Sequence, residues 1–202
     1  MLITIQFAIK MINKRMSGEQ GDGQRDILAR LLEVSQKDEA QLSFTEIIAL
    51  TTTNLIAGSD GTAIGLRAIL YFLCRNPLAY KKLQKEIDDA FTSGSLSSPV
   101  KYTEGAKLEY LDAVITEALR AHAATGFLLE REVPTGGVTL AGQFIPAGTI
   151  VGINSWVMHA NQQVYGEDAQ EFRPERWFDT KEKVGEMKRC NMSVSVTLFR
   201  LQ

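Results

Sequence analysis

The chain has 202 residues, of which 45% are hydrophobic and 23% charged, with a formal net charge of -2. That is the balance of a globular protein with length enough for one ordinary core, and its dispersed lysines and arginines exclude a basic nucleic-acid or acidic-membrane binder. Two cysteines, Cys74 and Cys190, are too few for a disulfide framework and fit no zinc spacing, which favours a reducing setting; His122 and His159 alone speak against a multi-histidine metal site.

In chain order, Met1 to Lys10 is apolar, but Lys10, Lys14 and Arg15 follow the apolar run, whereas a secretory signal carries its charge first. The run is shorter than the roughly 20 apolar residues that span a bilayer. Residues 2–15 therefore read as a helix whose packing partner is missing. Gly18 to Gly23 is a polar break, and Ile27, Leu28, Leu31, Leu32 and Val34 then follow helical spacing. Ser43-Phe-Thr-Glu46 is a capping-box pattern, and no proline intervenes before Pro77. A single helix of about 33 residues, on the order of 50 Å, fits that stretch. It is interrupted by Asn54, Asp60 and Arg67, so it reads as a core helix rather than a membrane span. Asn76-Pro77 reads as N-cap and first residue of another helix to about Phe91, and Leu108 to His122 as an amphipathic helix. From Gly136 to Asn154 short strands alternate with glycine turns, and Asp168 to Phe178 is polar, aromatic and irregular. The fold class expected is mainly α with a small β-sheet.

Three constellations stand out. Ala57-Gly58-Ser59-Asp60-Gly61-Thr62 is poor helix material at the middle of the long helix, each glycine costing about 1 kcal/mol relative to alanine. Either the helix opens there for a ligand or water, or, the favoured reading, the glycines allow close helix packing and Asp60 is bonded locally. Glu117-Ala-Leu-Arg120 places a carboxylate and a guanidinium on one helix face, solvated or, given Val114, Ile115, Ala118 and Leu119 around them, buried. Phe172-Arg173-Pro174-Glu175-Arg176-Trp177 is either a surface loop with solvated arginines or a rigid turn that sends Arg176 onto Glu117 as a second fork.

The order of the three resembles the cytochrome P-450 family: an Ala-Gly-x-Asp segment in a very long helix, then Glu-x-x-Arg, then Pro-Glu-Arg-aromatic. Glu117-Ala-Leu-Arg-Ala-His122, Leu128-Leu-Glu-Arg-Glu-Val-Pro134, Ile145-Pro-Ala-Gly-Thr149 and Tyr165-Gly-Glu-Asp-Ala169 extend the resemblance, which is closest to the fungal branch containing pisatin demethylase-like enzymes. It covers residues 1–192 as one partial domain of that fold. It implies haem as cofactor, with Ala57 and Gly58 above the iron, Asp60 and Thr62 in proton delivery, Arg131 on a haem propionate, and Glu117, Arg120 and Arg176 as a structural lock. It implies insertion of one oxygen atom from dioxygen into a small organic substrate, with electrons from an NADPH-dependent reductase, in enzymes anchored at the endoplasmic reticulum.

The sequence departs from the family twice. Gly61 stands where the family usually has a threonine after the acid; Thr62, one step later, is turned by about 100 degrees. The second departure concerns the ligand. After the Pro-Glu-Arg-aromatic turn the family has a glycine-rich loop bearing the cysteine that binds iron, whereas here no glycine follows Gly185 and no cysteine follows Cys190. Cys190 lies where the family is variable and is not expected to be a ligand, so no metal ligand is assigned. Residues 193–202 read as foreign text, as from a shifted frame or retained intron; suitable codons for Ser193 to Thr197, read two bases on, spell Gly-Phe-Gly-Tyr. Upstream family sequence, including the anchor, is expected to be missing as well, leaving apolar surface exposed. As written, the chain is expected to be inactive and not to hold haem stably, its alternative being a non-enzymatic helical fragment.

Overall fold

The computed structural model of the protein describes residues 2–19, 25–36 and 42–193. The chain forms two compact units, Met1–Ala63 and Ile64–Gln202. Of the expected foreign tail, residues 194–202 lie outside the described residues, and so does most of the Gly18 to Gly23 break.

The first unit contains α1 (Leu2–Met16), α2 (Ile27–Ser35) and the beginning of α3 (Phe44–Arg75). One carboxylate organises the entry to α2. Asp26 accepts the Ala29 N–H at 2.8 Å as N-cap and takes Arg15 Nη2 at 2.7 Å on its other oxygen. The capping box at Ser43 is formed: its N–H donates to Glu46 Oε2 at 2.7 Å, and the Glu46 N–H donates to Ser43 Oγ at 3.3 Å. Two first-turn donors are thereby satisfied reciprocally. From there α3 continues for 32 residues as α-helix.

In the second unit α4 (Pro77–Thr92) starts on proline, whose missing N–H costs nothing at that position. Asn76 occupies the N-cap position but does not cap with its side chain. It instead donates Nδ2 to the Phe72 carbonyl at 2.8 Å, satisfying an acceptor at the end of α3. After the short α5 (Tyr102–Gly105), α6 (Glu109–Ala121) receives its cap from another helix: Glu86 of α4 accepts the Tyr110 and Leu111 N–H groups at 2.8 and 2.9 Å. Leu73, Leu83, Tyr110 and Val114 are the buried centre of this helical layer, with Ile69, Ile87, Leu111 and Phe172 against it. Burying each large apolar side chain contributes roughly 1.5–3 kcal/mol.

The single small sheet expected from the glycine-punctuated stretch is two separate antiparallel ladders. β1 (Leu128–Glu132) pairs with β4 (Ile150–Asn154), with Arg131 opposite Val151; β2 (Val138–Leu140) pairs with β3 (Gln143–Ile145). The second is a hairpin turned on Ala141 and Gly142, both at positive φ (49° and 78°), the combination a two-residue type I′ turn requires. It is inserted in sequence between the two strands of the first ladder.

The chain then passes through α7 (Ser155–His159), α8 (Gln162–Tyr165), a 3-10 turn at Pro174–Phe178 and α9 (Lys181–Cys190). Val164, Tyr165, Ala169 and Met187 form a second buried cluster, with Trp177, Val184 and Cys190 packed on it. Among the described residues no helix is long and apolar enough to cross a membrane. The whole is mainly α with small antiparallel β-ladders.

Candidate functional site: a buried two-arginine cluster

Glu117 sits on the inner face of α6 with no solvent exposure. A bare carboxylate there would be prohibitive, because desolvating an ion costs several kcal/mol unless partners replace its water. Five N–H donors do so. Oε1 accepts Arg120 Nη2 at 2.8 Å, Arg176 Nε at 2.8 Å and the Arg173 backbone N–H at 3.0 Å; Oε2 accepts Arg120 Nε at 2.8 Å and Trp177 Nε1 at 3.1 Å.

The two guanidiniums are equally fully bonded. Arg120 sends its remaining N–H groups to the carbonyls of His159 at 2.7 Å, Ala169 at 2.6 Å and Glu171 at 3.0 Å. Arg176 sends its own to the Tyr165 carbonyl at 2.6 Å, the Asp168 carbonyl at 3.0 Å and carboxylate at 3.2 Å, and the Glu171 carbonyl at 3.1 Å. The carbonyls of His159 and Tyr165 end α7 and α8, and those of Asp168, Ala169 and Glu171 lie in the irregular stretch before the 3-10 turn. The arginines are thus both countercharge and scaffold. Local sequence explains the placement. The i,i+3 spacing on α6 aligns Glu117 with Arg120, and Pro174 opens a short 3-10 turn that carries Arg176 back onto the same carboxylate.

Asp168 braces the outer side, paired with both Arg173 and Arg176. Burial alone would raise its pKa, but hydrogen bonds and charge from Arg173 and Arg176 hold it below the usual carboxylate value. On the other side His159, 2% exposed, contacts the cluster through Arg120. Beyond it, Lys82 lies 4.3 Å over the Tyr110 ring and 3.0 Å from Glu175, and the Tyr110 hydroxyl donates to the same Glu175 oxygen at 2.9 Å.

Glu117, Arg120 and Arg176 are therefore brought together. Asp168, Trp177, the Arg173 amide and His159 complete the cluster; Trp177 belongs to the turn picked out in the sequence, but none of the four was expected as a partner of the cluster. The signal in reach was the run Tyr165-Gly-Glu-Asp168, an acid in a loop that also feeds two arginines.

Ala57, Gly58, Asp60 and Thr62 lie together on α3 in the first unit, all exposed. The helix does not open there: Ser59 Oγ donates to the Leu55 carbonyl at 2.8 Å and Thr62 Oγ1 to the Gly58 carbonyl at 2.9 Å. Close packing on these glycines, the favoured reading, is corrected. A Cβ at Gly58 or Gly61 would meet nothing within 4 Å, whereas at Gly65 it would stand 3.2 Å from Leu119 Cδ2. The tight helix–helix approach is one turn further on. Asp60 is near Ser59 Oγ, at the 3.5 Å limit of a hydrogen bond.

Arg131 stands on β1, is exposed, and donates one N–H to the Glu130 carbonyl at 2.6 Å. The described residues contain no group of three or more His, Cys, Asp or Glu able to hold a metal. Cys74 is exposed and Cys190 is packed on the second core cluster at the end of α9.

The family model described as cytochrome P-450 matches residues 3–192. A cytochrome P-450 monooxygenase of Alternaria alternata, ACRTS1, is 40% identical over 165 residues, covering 82% of this chain and 44% of that protein. The monooxygenase hepC of Aspergillus oryzae is 38% identical over 86% of this chain and 34% of its own length. Pisatin demethylase of Fusarium vanettenii is 40% identical over 79% of this chain and 30% of its own length. The chain spans between a third and a half of most of these relatives.

Proposed function

Since the chain belongs to the cytochrome P-450 family, we propose that the protein it comes from is a fungal haem-dependent monooxygenase, inserting one oxygen atom from dioxygen into a small organic substrate. The observation that carries this reading is the buried meeting of Glu117 and Arg120 with Arg176, across 59 residues of chain, in a sequence matched to the family almost throughout. The relatives' shared description as monooxygenases supports it.

The residues fit haem in part. A Cβ at Gly58 or Gly61 would meet nothing within 4 Å, so that stretch of α3 has room beside it for a ligand. Arg131 has an exposed guanidinium with donors available for a propionate. Cys190 does not fit the thiolate that would hold haem: it packs on an apolar cluster at the end of α9 rather than standing in a glycine-rich turn. Haem, when bound, supplies the reductive activation of dioxygen.

In this reading Ala57 and Gly58 would line the haem site, as the family resemblance implies. Asp60 holds or passes a proton at its exposed carboxylate. Thr62 contributes little to that relay, because its hydroxyl hydrogen is committed to the Gly58 carbonyl. Glu117, Arg120 and Arg176 fix the loop from α7 to the 3-10 turn as a rigid platform. Electrons come from an NADPH-dependent reductase, and a location at the endoplasmic reticulum rests on the family resemblance alone. A second reading, a fragment that binds no haem productively, is favoured by the placement of Cys190.

The test is to read the transcript past Asn191 and express the polypeptide it encodes. A glycine-rich cysteine loop and a thiolate-type Soret band in the reduced, carbon monoxide-treated protein are expected. A polypeptide that takes up no haem refutes the monooxygenase reading.

A further inference from the structure

The buried imidazole of His159 joins two backbone segments far apart in sequence. Its Nδ1 lies 2.9 Å from the Arg120 carbonyl, and its Nε2 lies 2.8 Å from the Met192 amide nitrogen. A carbonyl can only accept and a backbone amide can only donate. The ring is therefore fixed as the neutral tautomer with the proton on Nδ1 and a lone pair on Nε2. Among the described residues, this is the one hydrogen bond tying Asn191–Ser193 to an element other than α9; the others there are local, from Ser193 to the Asn191 side chain and from the Asn191 N–H to the Lys188 carbonyl at 3.4 Å.

We propose that His159 is a positioning residue that acts as an acid-sensitive latch: neutral, it pins the chain leaving α9 at Met192 to the Arg120 end of the buried cluster, and protonated, it releases it. An imidazolium has no lone pair for the Met192 N–H, so two donors would face each other. The charged groups that face the ring favour the neutral state on balance. Burial holds His159 below the ordinary imidazole range, and the Arg120 guanidinium adds to this. The hydrogen bond to the Arg120 carbonyl and the charge of Glu117 oppose it, but Glu117 already serves two arginines. The remaining titratable neighbour, Tyr165, stands edge-on at 6.3 Å and is pushed well above the usual phenol range, so it stays neutral. Because the unfolded chain protonates first, the latch is intact above the ordinary imidazole pKa, about 6.5, and weakens as pH falls below it.

Amide exchange of the 202-residue chain, corrected for intrinsic rates, tests the latch at about pH 7.5 and about pH 5.5. The Met192 amide is expected to exchange about tenfold faster at the lower pH, as for the loss of one hydrogen bond, while amides of α6 keep their protection. His159→Gln, which retains an acceptor that does not titrate, is expected to flatten that pH response. His159→Leu is expected to be fast at both pH values. Equal responses in wild type and His159→Gln would overturn the proposal. Ring 15N shifts of the wild-type protein provide a check that needs no variant: a neutral ring protonated on Nε2, or a ring already charged at pH 7.5, overturns it equally.

Discussion

Replacing Glu117 by glutamine removes the charge of the cluster while conserving its shape. The amide can be seated either way round. With its NH2 at the Oε1 position it confronts Arg120 Nη2, Arg176 Nε and the Arg173 amide; at the Oε2 position it confronts Arg120 Nε and Trp177 Nε1. At least two donors lose their acceptor in either orientation, and two guanidiniums, each with a side chain no more than 2% exposed, lose their shared counter-ion. Hydrogen bonds to charged groups are worth about 1.5–3 kcal/mol each, so two give about 3–6 kcal/mol. Removing one partner of a buried ion pair costs about 3–5 kcal/mol by independent reasoning. Urea unfolding followed by tryptophan fluorescence suits the measurement, because Trp177 itself donates to Glu117. A loss of about 3–5 kcal/mol is expected for Glu117→Gln. A loss below about 1 kcal/mol would refute the view that these donors depend on the carboxylate.

The other expectations contrast with that one. Lys85→Ala, which breaks an exposed i,i+4 pair with Asp89, should change stability by no more than about 0.5 kcal/mol in the same assay. Gly58→Ala and Gly61→Ala should each stabilise the chain by about 0.5–1 kcal/mol, since both lie in helix with open space at the Cβ position. Gly65→Ala should lose that gain against Leu119; equal midpoints for all three would contradict the packing described. Glu86→Ala should cost about 1–2 kcal/mol by uncapping α6 from across the helix interface. Asp168 is held below its ordinary pKa in the fold, so its contribution is present above the unfolded carboxylate value and lost as pH falls through the folded one. Asp168→Asn should therefore flatten the acid limb of a stability–pH curve, and an unchanged limb would count against its bracing role.

What could be read from the sequence was what local chemistry specifies. The Ser43–Glu46 box, the proline start of α4 and the i,i+3 pair on α6 each depend on residues within one turn, and all three form. The Arg176 fork onto Glu117 was legible as one of two alternatives, because proline and arginine in a short turn define a rigid donor without saying where it points. What was not legible depends on backbone groups. The Arg173 amide, the carbonyls of Ala169 and Glu171, and the Met192 amide have no side-chain signature, yet they decide how the cluster closes. Helix α9 was missed because Lys181–Cys190 is polar nearly throughout; its one signal was the Thr180 hydroxyl, which accepts the Lys183 N–H at 3.4 Å. The glycines of α3 misled for a related reason. Glycine permits close approach without requiring it, and only Gly65 has a neighbour to approach.

The most direct test of the account is the spectrum of the purified 202-residue chain after incubation with haem, reduction and carbon monoxide. No thiolate-type Soret band is expected, because Cys190, the one thiol near the cluster among the described residues, packs against Val164, Tyr165, Ala169 and Met187. A thiolate band that disappears in Cys190→Ser would contradict it.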